Sequence, residues 1–227
     1  MSLSSVAKRK NLPKRIEAVL FDYDGVIADT MTDNFMAWKY AFQKFNVRIS
    51  RNDYYALEGM TPVSIAAHLG KKFTLRKEQY TKILNYKADY YRNHNSFRLY
   101  EDVHAVLIAL RNMRIRLALV SGAASQRILE MTPSQVLSLF DIIVSADHIT
   151  KCKPNSQGYR KALDGLGIKP RNAIVVENAP LGIQAAINAR VYCVALTTTM
   201  PASKLKLANT CLRSITGVER LVRNRHV

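Results

Sequence analysis

Four short segments of this 227-residue chain carry the residue types that phosphate and metal chemistry needs. Asp22 and Asp24 lie two residues apart in Phe21-Asp22-Tyr23-Asp24-Gly25. Ser121-Gly122-Ala123, Lys153 and the pair Glu177-Asn178 follow far downstream. Carboxylates brought to one edge repel each other unless a cation sits between them. A hard divalent ion with oxygen ligands suits such a place, and magnesium is the usual choice when phosphate is bound too. A carboxylate can also act as a nucleophile through an aspartyl phosphate. The negative charge of a phosphoryl group would then be met by magnesium, by Lys153 and by backbone N–H groups after Ser121.

That chemistry requires the four segments to meet. The elements around them supply a way. Ala18 to Tyr23 is a short apolar run ending in acids and Gly25, as a buried parallel strand would. Further strands are expected at Ile115–Val120, Ile142–Ser145, Ala173–Val176 and Tyr192–Leu196. Between them, helices are expected at Glu101–Arg111, Ser125–Met131, Gln157–Leu166 and Leu181–Ala189. Alternating strands and helices imply right-handed crossovers and a parallel sheet covered on both faces. Ligands of such sheets bind beyond the carboxyl ends of the strands. Asp22, Asp24, Ser121, Gly122, Asp147, Glu177 and Asn178 all fall there, with Lys153 a short loop away.

From about Thr32 to Asn95 the pattern is helical throughout. Phe35, Trp38, Phe42 and Phe45 recur at helical spacing and predict a buried aromatic face rather than a substrate platform. Pro62 opens a second helix, and Arg76 to Tyr91 form a third carrying Tyr80, Ile83, Leu84 and Lys87. The expected fold class is therefore α/β, a three-layer Rossmann-like parallel sheet core with an inserted all-helical cap. Residues 1–31 and 98–227 would form the discontinuous core, and 32–97 the cap.

Composition narrows the partners. Hydrophobic content of 48% and charged content of 22% suit a globular chain. No apolar run approaches a membrane span, and the basic first fifteen residues lack the apolar stretch of a secretory signal. The three scattered cysteines lack metal-ligand spacing and favour a reducing, cytoplasmic setting. The net charge of +17 is spread along the chain with no nucleic-acid-binding motif. A solvated basic surface is the simpler reading, and no nucleic-acid partner is expected. His68, His94, His104 and His148 form no triad or metal spacing.

Together the motifs resemble a known family. Asp22-Tyr23-Asp24-Gly25-Val26 resembles the DxDG motif of the haloacid dehalogenase-like hydrolase superfamily. Leu119-Val120-Ser121-Gly122 resembles its second motif, Lys153 to Tyr159 its lysine motif, and Val175 to Ile183 its acidic fourth motif. The inserted helices are similar to the cap of the phosphoglycolate phosphatase and β-phosphoglucomutase branch. The resemblance implies that Asp22 attacks phosphorus, while Asp24 protonates the leaving oxygen and then activates water. It implies that Ser121, Gly122, Ala123 and Lys153 hold phosphate. Magnesium would lie between the Asp22 carboxylate, the Asp24 carbonyl and the Glu177/Asn178 pair. It places Gly59, in the cap loop Leu57–Pro62, beside the substrate.

Three departures matter. Asn178 stands where the family has Asp, Asn34 where the mutase has a hinge histidine, and Pro62 where the mutase has an arginine. An amide oxygen still ligates magnesium but brings one negative charge fewer. Losing a cationic anchor disfavours a mutase, which must grip a second phosphate. The expected function is thus a magnesium-dependent phosphatase of a small phosphometabolite, such as a sugar phosphate, acting as a monomer. The alternatives are a β-phosphoglucomutase-like mutase and a noncatalytic polyanion-binding protein on the same fold.

Overall fold

The computed structural model describes residues 11–225. The basic residues 1–10, which entered the reasoning about a leader segment, lie outside the described residues. Strand β1 (Ala18–Phe21) is buried at all four positions. Four helices of an insert follow it: α1 (Met31–Gln43), α2 (Arg51–Tyr55), α3 (Pro62–Lys72) and α4 (Gln79–His94). The chain then runs α5 (Val103–Asn112), β2 (Arg116–Val120), α6 (Ser125–Met131), α7 (Ser134–Leu137) and β3 (Ile142–Val144). It continues with α8 (Gln157–Leu166), β4 (Ala173–Glu177), α9 (Pro180–Asn188), β5 (Tyr192–Leu196), β6 (Thr210–Leu212) and α10 (Thr216–Arg223).

The sheet is six-stranded, ordered β3-β2-β1-β4-β5-β6. All five pairings are parallel. This is one strand more than the apolar runs predict. Thr210-Cys211-Leu212 is a short, partly exposed edge strand whose composition carries no buried-strand signal. Strand alternation sorts the core into two layers. Val19, Phe21, Leu117, Leu119, Ile174 and Val176 face one way, onto Val106, Leu107 and Leu110 of α5 and Val218 and Val222 of α10. Ala18, Leu20, Ala118, Val120 and Val175 face the other, onto Tyr159, Leu163 and Leu166 of α8 and Ile183 and Ala186 of α9. Both faces being covered explains why these strands read as uninterrupted apolar runs.

Helices α1 to α4 bury a separate cluster of their own, centred on Phe35, Trp38, Phe42, Tyr54, Ile65, Leu69 and Ile83. Helix α2 escaped the periodicity reading because it is only five residues long. Its signature is the capping box at Ser50, whose side chain accepts from Asp53 N while Asp53 accepts from Ser50 N. Two segments tie this helical insert to the sheet. Ala28 and Leu99 form an antiparallel bridge. Asp29 N donates to Arg98 O at 2.9 Å and Tyr100 N to Ile27 O at 3.0 Å.

Strand β1 lies between β2 and β4, so the chain leaves it in one direction and later returns on its other side. That is the switch point at which an open parallel sheet gathers a ligand. The carboxyl ends of β1, β2 and β4 are adjacent there.

Candidate active site

Asp22 is the first residue beyond β1 and is 3% exposed. Its backbone N–H still donates to Val176 O at 2.9 Å, which fixes its height in the sheet. Lys153 Nζ lies 2.5 Å from Asp22 Oδ1 and 2.6 Å from Glu177 Oε1, so one ammonium bridges two buried carboxylates. Tyr159 OH donates to the same Glu177 oxygen at 2.6 Å. Glu177 Oε2 accepts from Asn178 N at 3.0 Å. Every Glu177 oxygen is therefore engaged within the protein.

Burial pushes the Asp22 carboxyl up to about 7, with Glu177 and Asp24 adding repulsion and Lys153 opposing them. Burial works against the Lys153 ammonium, but the two carboxylates overcome it and raise its pKa. The site is thus short of positive charge around Asp22. One lysine serves two acids.

Asp24 faces elsewhere. Its Oδ2 pairs with the Arg127 guanidinium, and its Oδ1 accepts from the Thr30 hydroxyl and from Asn34 Nδ2, the latter at 3.3 Å. Burial favours the neutral acid, yet the Arg127 charge and these hydrogen bonds outweigh it and hold the pKa below the ordinary value. Asp24 therefore rests as a carboxylate. Arg127 lies over the Tyr23 and Tyr91 rings, at 5.4 Å from each centroid. Asn34, at the position of the mutase histidine, also accepts from Lys87 Nζ at 2.8 Å.

Ser121 follows β2 and is buried. Its Oγ accepts from Ala123 N at 3.0 Å, shaping the turn that leads towards α6. A side chain at Gly122 would come within 2.7 Å of Met60 O and 2.9 Å of Gly59 O. The cap loop therefore lies directly on the Ser121–Ala123 turn, a contact only glycine permits. Gly59 itself rests against the aliphatic stem of Lys153.

Asn178 closes the group. Its Nδ2 donates to Thr199 Oγ1 at 2.8 Å, while its buried Oδ1 has no hydrogen-bond partner among the described residues. Gly25, at φ +83°, leaves the room that Asn178 fills. An orphaned buried oxygen is costly and calls for an explanation. Among the described residues, no three Asp, Glu, His or Cys side chains gather as a cation cage. The donor set that fits magnesium is mixed instead: the Asp22 carboxylate, the Asp24 carbonyl and the orphaned Asn178 Oδ1. A cation there would also lower the raised Asp22 pKa.

Asp22, Asp24, Ser121, Gly122, Ala123 and Gly59 all line one cavity of about 360 Å³ between the sheet edge and the helical insert. Lys153, Glu177 and Asn178 do not line it; Lys153 is joined to it through its pair with Asp22. Asp147 does not join them. It is exposed, and its Oδ2 accepts from Ser125 N at 2.6 Å, capping the start of α6. Sequence reasoning missed Arg127, Lys87 and Glu58, which also line the cavity. Ile83, Lys87 and Tyr91 recur every four residues, so a lysine on the buried stripe of α4 was a usable signal for the second. Nothing in Ser125–Met131 distinguishes Arg127. Trp38 belongs to the insert's core as expected, but it borders the cavity too.

Known proteins resemble this chain in sequence and in fold. A validoxylamine A 7'-phosphate phosphatase of Streptomyces hygroscopicus is 28% identical over 211 residues, covering 89% of this chain and 95% of its own. A phosphorylated carbohydrates phosphatase of Thermotoga maritima is 25% identical, covering 78% and 84%. The crystal structure of a β-phosphoglucomutase from Clostridium difficile superposes with a TM-score of 0.78 at 26% identity, covering 93% and 97%. The haloacid dehalogenase-like hydrolase model matches residues 19–196, from within β1 to the end of β5. With four motifs meeting at the switch point of its sheet, the chain belongs to the haloacid dehalogenase-like hydrolase family.

Proposed function

We propose that the chain is a magnesium-dependent phosphatase of a small phosphorylated metabolite, with Asp22 as its nucleophile. The observation that carries this reading is the placement of Asp22. It sits at the floor of a cavity, paired to Lys153, beside the Ser121–Ala123 turn and near an amide oxygen with no partner. Asp22, the Asp24 carbonyl and Asn178 would hold magnesium, which when bound supplies positive charge against the phosphoryl oxygens and keeps Asp22 ionised. Lys153 and the N–H groups of Gly122 and Ala123 orient the phosphoryl group. Glu177 fixes Lys153 rather than facing the substrate.

Asp22 oxygen forms a bond to phosphorus as the bond to the leaving oxygen breaks, and Asp24 gives that oxygen a proton. Water then attacks the aspartyl phosphate, Asp24 takes the water's proton back, and Asp22 and inorganic phosphate are released. Arg127 favours the base form of Asp24 that the second step needs. The first step needs the acid form, and an incoming phosphate ester is the anion able to compete for the Arg127 guanidinium.

A mutase is the second reading, favoured by the likeness to the Clostridium difficile structure. Two observations weigh against it. Pro62 offers no charge to a distal phosphate, and Lys87 is held by Asn34. A panel of sugar phosphates, phosphoglycolate and nucleotides with magnesium tests the phosphatase, and β-glucose 1-phosphate with a bisphosphate primer tests the mutase. Asp22→Asn should abolish turnover with the fold intact. No turnover of any ester, together with salt-sensitive binding to DNA or RNA, would favour the noncatalytic polyanion-binding alternative.

A further inference from the structure

The sheet has a second edge, opposite the one that gathers Asp22 and Ser121. Its strands are all parallel, so every segment that enters a strand opens on that far side. The segments leading into β1, β2 and β4 carry Lys14, Arg15, Arg114, Arg116, Lys169 and Arg171, all exposed. At the exit ends of β1, β3 and β4 the acids Asp22, Asp24, Asp147 and Glu177 outnumber Lys151 and Lys153. The sheet is therefore basic at its amino edge and acidic at its carboxyl edge.

The basic residues stand in a row. Arg116 N donates to Glu17 O at 2.9 Å, and Glu17 N donates to Asn172 O at 2.7 Å. These bonds hold the entries of β2, β1 and β4 side by side, about 10 Å across. Two acids lie among the entry segments, and both are taken. Glu17 is held by Arg15 and Asn172, and Asp141 by Arg111 and Arg116. Lys14, Arg114, Lys169 and Arg171 have no ion-pair partner among the described residues.

Helix ends explain little of this. A cation near a helix C-terminus is favourable, which accounts for Arg111 in the last turn of α5. Lys14 and Arg15 precede the first described element, and Lys169 and Arg171 lie beyond Gly167, which ends α8. Arg114 takes φ +57°, a left-handed conformation that glycine adopts freely and arginine only at a cost. Gly167 fills the matching place after α8 at φ +68°. A charge is thus kept where the backbone favours glycine, although like charges crowded together repel.

No aromatic side chain lies in these three segments, so nothing there stacks on bases. None of the six residues lines the cavity, so no small anion is enclosed by them. By charge complementarity, a row of exposed cations without a pocket fits a linear polyanion.

We propose that the amino edge of the sheet is a docking surface for double-stranded nucleic acid, held by its phosphate backbone without regard to sequence. Folding in this way revises the expectation of an evenly solvated basic surface. The length of β1 puts this edge about 15 Å from Asp22, so bound duplex leaves the cavity open. The proposal is independent of the phosphatase reading.

The probe is a short labelled DNA duplex of mixed sequence, titrated with the full chain by anisotropy at about 50 to 200 mM salt. Four phosphate contacts predict a log–log salt slope of about −4 and a fall in affinity of about 100-fold over that range. In a variant combining Lys14→Gln, Arg114→Gly, Lys169→Gln and Arg171→Gln, the slope should become shallower by about one for each charge removed. Arg114→Gly relieves backbone strain, so alone it provides an arm whose weaker binding does not come from unfolding. The comparison variant removes the same charge from the helical insert, with Lys71→Gln, Arg76→Gln, Lys77→Gln and Lys82→Gln, all exposed positions. Its slope should change by less than about one. Equal losses in the two variants, native binding by the first, or no duplex binding at about 50 mM salt would overturn the proposal. So would phosphatidylserine vesicles that bind with the same four-residue dependence while the duplex does not, since the edge would then belong to a membrane. Turnover of whichever ester the native chain accepts should be unchanged by the four rim substitutions and by added duplex. Competitive inhibition by duplex would place it in the cavity and refute the assignment to this edge. Absence of turnover everywhere would sink the phosphatase reading alone, since the salt slopes still decide where the duplex binds.

Discussion

Replacing Gly122 with alanine tests whether the closed docking of the cap loop is the working state. The added Cβ would lie 2.7 Å from Met60 O and 2.9 Å from Gly59 O, where ordinary contact begins at 3.4 Å. Both neighbours are backbone atoms, so no side-chain rotation relieves the overlap, and the loop must retreat by about 0.7 Å at the closer contact. Overpacking of this kind costs about 1–3 kcal/mol. The cheapest relief is to lift the cap, which leaves both hydrophobic clusters intact. The penalty therefore falls on closure rather than on folding, and it lowers the closed-to-open ratio by roughly 5- to 150-fold. The expected outcome is a fall in kcat/KM of up to that factor on whichever ester the native chain turns over. The melting temperature should barely change, and amide exchange should quicken at Glu58–Thr61. Unchanged turnover with unchanged exchange in that loop would refute the reasoning, because the close approach would then be dispensable.

Asn178→Asp should strengthen magnesium binding by about tenfold or more through its added charge, while lowering the melting temperature of the metal-free protein. Magnesium titrations of rate and of thermal stability check both parts, and an unchanged half-saturating concentration would contradict the assigned donor set. Arg127→Met should remove the main charge opposing burial at Asp24, so its pKa rises and the acid limb of the pH–rate profile moves upward. A limb that stays in place would show that Asp24 does not set it. Burial, reinforced by Arg127, holds Lys87 at about 7 against an ordinary 10.5. Folded protein then binds fewer protons than unfolded protein between those pH values, so this residue makes stability rise with pH across that window. Lys87→Met should be most stabilising, relative to the native chain, at or below pH 7, with the gap closing by about 1.4 kcal/mol per pH unit towards 10.5. Denaturant melts at several pH values read this directly, and parallel stability curves would count against it.

The strands and the residues at their ends were legible because both depend on local rules. A strand covered on two faces must be apolar throughout, and its carboxyl end must point at the ligand, so Asp22, Ser121 and Glu177 could be placed without coordinates. β6 was not legible, because a three-residue edge strand buries too little to demand apolar residues. Asp147 obeyed the strand-end pattern but serves as a helix cap, a use that the same residue type and position allow equally well. The walls of the cavity were harder still. Glu58, Lys87 and Arg127 come from three different elements, and their meeting depends on how the insert docks. No spacing within one segment records that.

The two segments joining insert and core run side by side, bridged at Ala28 and Leu99 and clasped by the Asp29–Arg98 pair at 2.5 Å. Entry and exit are thus a single port. A chain segment whose ends are already held together adds little loop-closure entropy as it lengthens. The core can consequently accept inserts of other sizes at this port, or change the one it has, while Asp22, Ser121, Lys153 and Glu177 keep their places. On the proposed function, a transplanted insert should carry its preference for one ester over another with it.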